Sequence, residues 1–292
     1  MSFSSEVKQE LARQIGKSRH CRLAELAVLL AFDGIREPGQ IGPEGLLDSE
    51  NPLLLEKYRT LLAELFPGGA ASDTFRIFQA VKMWDQAENR PHITDTVNGI
   101  LLQQMCCKRA FIRGAFLAGG SISDPNKSYH FEIVCRNQGQ AGQLRDVINS
   151  FDMEAKIVAR KNHQVVYLKE GAQIVDMLNI MEAHVALMNL ENVRILKEMR
   201  NSVNRKVNCE TANISKTVNA AVKQLRDIEY IKATAGLDSL SDNLKEMAQL
   251  RLEYPDAPLK ELGTYLNPPV GKSGVNHRLR KISEIAEELR GY

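Results

Sequence analysis

The stretch FIRGAFLAGGS, residues 111–121, carries the clearest information about how this chain folds. Large apolar residues are mixed there with small ones at helical spacing, and three of the eleven residues are glycines: Gly114, Gly119 and Gly120. A glycine inside a helix costs about 1 kcal/mol relative to alanine. We therefore expect another part of the backbone to approach this helix very closely.

An earlier stretch, LAVLLAFDG at residues 26–34, has the same character. The glycines that end the two stretches, Gly34 and Gly120, lie 86 residues apart (120 − 34). An amphipathic helix predicted over 52–66 has its counterpart over 140–151, at nearly the same offset. Two features at one offset indicate a duplicated unit.

Small residues four apart in each stretch let two helices cross with their backbones almost in contact; the pairs are Ala27 with Ala31 and Gly114 with Ala118. The second copy is the clearer one. Alternation predicts a strand over 128–135 and a hairpin over 155–160 and 164–169, followed by helices over 172–181 and 182–201. In the first copy the strands are poorly marked, because the connecting segments are rich in Pro and Gly.

A third region begins near Asn204. Apolar residues at three- and four-residue steps predict a helix over 214–231. After the linker TAGLDSLSD, three short helices are expected over 242–253, 258–266 and 273–289. The predicted domains are therefore 1–203, with copies of about 1–90 and 91–203, and 204–292, with a helix-turn-helix at about 257–290.

Composition is that of a soluble globular protein, and its uneven charge fits either a polyanionic partner or solvated helical faces. The 292 residues are enough for about two domains, and no apolar stretch approaches the roughly 20 residues of a membrane span. We expect a cytoplasmic location. Net charge is only +2, but residues 194–232 carry nine Lys/Arg against four Asp/Glu, and residues 257–292 carry six against four. Such concentration favours a polyanionic partner.

Cysteines and histidines suggest no metal site. The five cysteines form no C-x-x-C pair, and we expect them to be reduced and mostly buried. Adjacent Cys106 and Cys107 are poorly suited to share one zinc ion, and the six histidines form no cluster in the sequence. GKS at 271–273 lacks the glycine that a nucleotide-binding P-loop needs five residues earlier, where Leu266 stands. We expect no metal, no cofactor and no small-molecule substrate.

The two glycine-ended helices resemble the LAGLIDADG signature of homing endonucleases. That resemblance implies that the acid at the eighth position of each copy holds divalent metal in active members. Here the position is Asp33 in the first copy and Gly119 in the second. A two-metal site needs carboxylates from both sides. We expect an inactive site, with Asp33 as a helix-end carboxylate that faces solvent.

The chain also resembles a narrower family, WhiA, over nearly its whole length. The most specific stretches are CRLAELAVLLAFDG, CCKRAFIRGAFLAGGSIS, NVRILKEMRNSVNRKVNCETANISKTVNAA and LKELGTYLNPPVGKSGVNHRLRKI. The resemblance implies an α+β protein: a duplicated LAGLIDADG homing-endonuclease-like α/β scaffold followed by an all-α helix-turn-helix domain. It implies a DNA-binding transcription factor linked to sporulation, cell division and chromosome segregation.

The last helix supports DNA reading on its own residues. Val275, Leu279, Ile282, Ala286 and Leu289 form one apolar stripe, and Ser273 is a candidate N-cap. Asn and Arg at the start of such a helix suit the edges of adenine and guanine, whereas Lys suits phosphates. The predicted DNA-binding residues are Lys260, Lys272, Ser273, Asn276, His277, Arg278, Arg280 and Lys281, with Arg200, Arg205 and Lys206 as candidates for backbone contacts.

Three hypotheses follow. The first is a sequence-specific binder of double-stranded DNA, associated with the nucleoid and without enzymatic activity. The second is a protein-interaction scaffold that binds another transcription regulator or a sigma factor, with incidental DNA binding. The third is a metal-dependent endonuclease, against which Gly119 argues. Nicking of supercoiled DNA with magnesium would separate the third from the others.

Overall fold

The computed structural model describes residues 2–36, 45–67 and 74–291. The chain divides into two compact units, Met1–Glu198 and Met199–Tyr292. No helix in the described part of the chain is long and apolar enough to cross a membrane.

The first unit mixes helices with one substantial sheet. Its elements, in chain order, are α1 (Phe3–Arg13), α2 (Arg19–Asp33), α3 (Pro52–Leu65), α4 (Thr74–Ala80), β1 (Trp84–Asp85), β2 (Arg90–Pro91), a 3-10 turn (Gly99–Leu102), α5 (Met105–Gly119), β3 (Gly120–Ile122), β4 (Phe131–Cys135), α6 (Gln138–Asn149), β5 (Lys156–Arg160), β6 (His163–Leu168), α7 (Gly171–Met181) and the beginning of α8 (His184–Thr234). The predicted amphipathic helices of the two copies are α3 and α6.

The two glycine-ended helices, α2 and α5, pack directly on each other at the centre of this unit. A β-carbon on Gly114 would lie 2.3 Å from Cγ1 of Val28 and 3.4 Å from the backbone oxygen of Glu25. Only a residue without a side chain fits at such a crossing. The predicted close approach of backbone to this helix is therefore confirmed.

A buried ion network joins the same pair of helices. Glu25 on α2 accepts from Lys57 Nζ at 3.0 Å and from Arg113 Nε at 2.9 Å, and all three side chains are at most 2% exposed. Lys57 also donates to the backbone oxygen of Leu11 at 3.2 Å. Arg113 reaches Glu182, just after α7, at 2.8 Å. Every charge in this core therefore has a partner, as buried charges require.

The second copy carries the predicted sheet. Four antiparallel strands stand in the order β3-β4-β6-β5, and the β5–β6 hairpin closes with Arg160 opposite His163. The predicted start of β4 at Ser128 was wrong. That residue belongs to a turn, in which its amide donates to the carbonyl of Asp124 at 3.1 Å, so the strand begins only at Phe131.

The first copy is not a full duplicate in the residues that the structure describes. There the four-stranded sheet has no counterpart: an isolated bridge joins Ile35 to Leu47, and β1 pairs with β2 over two residues each. The Pro- and Gly-rich segments at 37–44 and 68–73 lie outside the described residues. The predicted repetition holds for the leading helix and for the amphipathic helix.

Helix α8 is continuous where the sequence predicted two helices, over 182–201 and 214–231. It runs through His184–Thr234 and contains neither Gly nor Pro, so nothing in its sequence forces a break near Asn204. The division between the two units falls inside it, between Glu198 and Met199.

The second unit is all helical. It contains the remainder of α8, a 3-10 turn (Leu237–Ser239), α9 (Asp242–Glu253), α10 (Leu259–Tyr265) and α11 (Lys272–Leu289). Its core consists of Ile228, Ile231, Leu240, Leu244, Met247, Ala248, Leu262, Leu266, Val275, Leu279, Ile282 and Ala286. Asp227 on α8 binds Arg290, just after α11, at 2.8 Å, and the Arg290 guanidinium also lies 4.6 Å from the Tyr230 ring centre.

Candidate nucleic-acid interface

Helices α10 and α11 form a helix-turn-helix whose turn depends on Gly263. The amide of Val270 donates to the carbonyl of Gly263 at 2.9 Å, which brings the turn back onto α10. A β-carbon on Gly263 would lie 2.0 Å from the backbone oxygen of Val270 and 3.1 Å from Cγ2 of Val275. The residue therefore fixes the angle at which α11 leaves the turn. Its signal in the sequence was a glycine inside a seven-residue helix.

Helix α11 is held by its apolar stripe. Val275, Leu279, Ile282 and Ala286 are buried, as predicted, whereas Leu289 is 43% exposed. The helix begins at Lys272, and its N-cap is Gly271, so the prediction of Ser273 as N-cap was wrong. Ser273 instead lies in the first helical turn, where its side chain is exposed.

The predicted DNA-binding residues of α11 lie on two neighbouring exposed rows. Residues four apart share a face of a helix. One row contains Lys272, Asn276 and Arg280, and the other contains Ser273, His277 and Lys281; all six side chains are exposed. Arg278 is set apart from them, because it is half-buried on the flank of the apolar stripe. Lys260 is exposed on α10.

Positive charge is concentrated on the first half of α11. Its acidic residues are Glu284, Glu287 and Glu288, all in the second half. Arg280 is engaged by Glu284 at 3.1 Å, and Glu287 by Lys223 at 2.9 Å. In the described residues, no ion-pair partner occupies the basic side chains of Lys260, Lys272, Arg278 and Lys281. The end of α11 that follows the turn is therefore cationic and uncovered within its unit.

The basic residues of α8 separate into two groups. Arg194 is paired with Glu191 at 3.4 Å, and Lys197 donates to the backbone oxygen of Pro125 at 2.6 Å, so both are occupied within the first unit. The three candidates for backbone contacts, Arg200, Arg205 and Lys206, are exposed, and within the described ranges they have no ion-pair partner.

At the two positions that hold acids in active homing endonucleases, this chain has one carboxylate, Asp33, and one glycine, Gly119. A β-carbon on Gly119 would lie 2.6 Å from the backbone oxygen of Val134, which leaves no room for a carboxylate. Asp33, which was expected to face solvent, is half-buried: its Oδ2 is buried and accepts no hydrogen bond from any described residue. Arg136 donates to the backbone oxygen of Asp33. Burial lowers the pKa of Lys8, and the charge of Asp33 opposes that shift.

A cluster that the sequence did not predict lies elsewhere in the first unit. His20 and Cys21 of α2 meet Cys106 and Cys107 of α5, and the four ligand atoms all lie within 4.8 Å of one another. The expectation that the cysteines and histidines form no cluster was therefore wrong. So was the reason given for it at Cys106 and Cys107, because the sulfur atoms of both adjacent residues lie in the cluster.

Comparison with known proteins gives the family. The model of the WhiA LAGLIDADG-like domain matches residues 108–200, and that of the WhiA C-terminal HTH domain matches residues 203–286. A probable cell division protein WhiA from Lachnoclostridium phytofermentans is 51% identical over 99% of this chain and 100% of its own length. Another, from Alkaliphilus oremlandii, is 50% identical over 99% of this chain and 98% of its own. This chain belongs to the WhiA family.

The crystal structure of a full-length WhiA from Thermotoga maritima has the same fold, with a TM-score of 0.57 at 24% identity over 99% of both chains. The α+β fold class, a LAGLIDADG-like region followed by a helix-turn-helix domain, is confirmed. The WhiA HTH match, residues 203–286, covers α10 and all of α11 except its last three residues, and therefore includes the two exposed rows.

Proposed function

We propose that this chain is a sequence-specific binder of double-stranded DNA that regulates transcription and acts in the nucleoid. The observation that carries the proposal is the exposed face of α11, with Asn276, His277 and Arg280 on an uncovered, cationic first half of the helix. In helix-turn-helix proteins the start of the second helix enters the major groove. The relatives named probable cell division proteins support a link to cell division.

The roles of the side chains follow from their chemistry. Asn276 offers both a donor and an acceptor, which suits the adenine edge, and Arg278 or Arg280 suits guanine. Lys260, Lys272 and Lys281 are point charges for phosphates, which position the protein without reading sequence. Ser273 and His277 share one exposed row of α11, and each can donate a hydrogen bond either to a base edge or to a phosphate. Arg200, Arg205 and Lys206 on α8 are proposed as additional phosphate contacts.

We propose further that the protein has no nuclease activity. Hydrolysis by two metals needs carboxylates on both sides of the scissile phosphates. Here one position is Gly119, against the Val134 carbonyl, and the other is Asp33, with one oxygen enclosed. Nicking of supercoiled DNA in the presence of magnesium, by the full chain and not by Asp33→Asn, would contradict this part of the proposal.

The test of DNA reading is selection from a random duplex library by the full chain. We expect one sequence to be enriched, and its affinity to fall linearly with the logarithm of salt concentration. Gln249→Ala, an exposed polar change on α9 within the same unit, should enrich the same sequence as the unaltered chain. An unenriched library with the full chain, at both low and moderate salt, would contradict sequence-specific binding.

The LAGLIDADG-like region takes no part in the proposed base contacts, and we propose it as the region that binds a protein partner, such as another transcription regulator or a sigma factor. Removal of residues from about Ile214 onward distinguishes a protein-interaction scaffold from a DNA-binding regulator. If regulation in cells survives the removal, the hypothesis of a protein-interaction scaffold is favoured. If regulation is lost while the truncated chain stays folded, the hypothesis of a DNA-binding regulator is favoured.

A further inference from the structure

Four potential metal ligands lie at one end of the α2–α5 pair. Nδ1 of His20 lies 3.1 Å from Sγ of Cys107, 3.4 Å from Sγ of Cys21 and 3.9 Å from Sγ of Cys106. A tetrahedral zinc ion, with Zn–S of about 2.3 Å and Zn–N of about 2.0 Å, holds its ligand atoms about 3.5–3.8 Å apart. The three nitrogen–sulfur distances lie on both sides of the zinc value, and all four atoms lie within 4.8 Å of one another, so small side-chain adjustments would let them surround one zinc ion.

The cluster follows the internal duplication. Cys106 is 86 residues after His20 and Cys107 is 86 residues after Cys21, which is also the spacing of Gly34 and Gly120. Each pair occupies the second and third positions of its helix, since α2 begins at Arg19 and α5 at Met105. Packing of α2 on α5 brings these equivalent positions face to face. Two ligands from each helix therefore meet although they are distant in sequence.

We propose that His20, Cys21, Cys106 and Cys107 form a structural zinc site that ties the beginnings of α2 and α5 together. The ligand set, three thiolates and one imidazole, is one that zinc uses in closed structural sites. All four tetrahedral positions are filled by protein, so the site has no open position for catalysis. It is independent of the DNA-reading proposal, which concerns the other unit.

The surroundings suit an anionic metal–thiolate centre. Three thiolates and a divalent ion leave a net charge of −1, and both ligand pairs lie in the first turn of a helix, where the helix dipole favours negative charge. Cys21 and Cys107 are buried, whereas His20 and Cys106 are exposed, which gives an ion a path of entry.

The test measures zinc bound to the full chain after purification under reducing conditions. We expect one zinc ion per chain, and a cobalt-substituted protein with the strong visible absorption of a tetrahedral thiolate site. Cys106→Ser, at an exposed ligand, should weaken zinc binding at least about 10-fold, since even indirect partners of a zinc site have effects of this size. Cys107→Ser should do the same at a buried ligand.

The matched controls are the two cysteines outside the cluster. Cys209→Ser removes an exposed thiol and Cys135→Ser a buried one, and both variants should bind zinc like the unaltered chain. Circular dichroism shows whether each variant is folded. If both cluster variants fail to fold, the zinc content and cobalt spectrum of the unaltered chain decide the matter.

Two results would overturn the proposal. One is a reduced, folded chain that retains no zinc, or retains as much after Cys106→Ser as before. The other is a chain that, purified without reductant but with zinc present, loses the mass of two hydrogens and carries a disulfide within the cluster. That second result would make the cysteines a redox pair instead.

Discussion

The backbone of Gly119 lies against the carbonyl of Val134, so that a β-carbon at position 119 would be 2.6 Å from the Val134 oxygen. Non-bonded carbon and oxygen atoms do not approach this closely without strain. The close packing of α5 on β4 therefore excludes any side chain at position 119, and with it an acid. A single substitution cannot restore the second half of a metal site.

The first prediction concerns that position. We expect Gly119→Asp to lower the free energy of unfolding by about 1–3 kcal/mol, as overpacked substitutions do, and to leave DNA uncut with magnesium. Urea unfolding and a nicking assay check the two parts. The control is Gly142→Ala in α6, where a β-carbon would meet nothing within 4 Å. A stable Gly119→Asp protein that nicks DNA would contradict our interpretation of the site.

The second prediction concerns the turn of the helix-turn-helix. Gly263→Ala should destabilise the second unit by about 1–3 kcal/mol or more and weaken DNA binding, because its β-carbon would lie 2.0 Å from the Val270 oxygen. Gly271→Ala is the comparison variant, since Gly271 lies in the same motif in open space with an ordinary φ of −67°; as the N-cap of α11 it should lose less than about 1 kcal/mol. Thermal unfolding and duplex binding measure both effects. Equal behaviour of the two variants would show that the turn does not need its glycine.

The third prediction concerns the buried ion network. Glu25→Gln removes the charge shared by Lys57 and Arg113, and loss of one partner from a buried pair costs about 3–5 kcal/mol. Asp146→Asn breaks an exposed pair with Arg145 and should cost less than about 1 kcal/mol. The measurement is the free energy of unfolding in urea. If the two variants lose similar amounts, the network does not stabilise the helix pair.

The fourth prediction is a pH dependence at Glu182. Burial tends to raise the pKa of this carboxyl, but the hydrogen bond from Gln14 and the charge of Arg113 outweigh it, so the pKa falls below its ordinary value of 4.5. The folded state then binds fewer protons than the unfolded state, and the stabilisation is present above pH 4.5 and lost as pH falls below it. Unfolding measured from pH 6 downward should therefore be less steeply pH-dependent in Glu182→Gln. If the free energy of unfolding depends on pH equally steeply in Glu182→Gln and in the unaltered chain, the pKa of Glu182 is not lowered by folding.

Much of the fold could be predicted from particular residues. Gly114 carries its own energetic cost within an apolar helix, and this indicated the close crossing that Val28 makes. Alternation marked β4, β5 and β6 in the second copy. The continuity of α8 was missed because the segment around Asn204 is polar, and the sequence shows its continuity only through the lack of Gly and Pro.

Of the two candidate sites, the sequence predicted the DNA-binding face and missed the metal cluster. The exposed rows of α11 followed from its apolar stripe, because burial of one face of a helix defines the other. The metal cluster could not be found from spacing within one segment, since Cys21 and Cys107 meet only when α2 packs on α5. Its signal was the 86-residue offset that the two pairs share with the terminal glycines.

The fifth prediction concerns base selectivity at α11, on which sequence-specific DNA binding by this chain depends. Binding of the selected duplex and of its single-base variants is measured across a salt series for the full chain, Asn276→Ala, Arg278→Ala and Lys272→Ala. We expect Asn276→Ala or Arg278→Ala to lose about 1–3 kcal/mol and to relax discrimination at one base pair. Lys272→Ala should weaken all duplexes alike and reduce the salt slope by about 1. If all three variants, and Arg280→Ala beside them, keep the discrimination of the full chain, α11 does not read the bases and the proposed function is wrong.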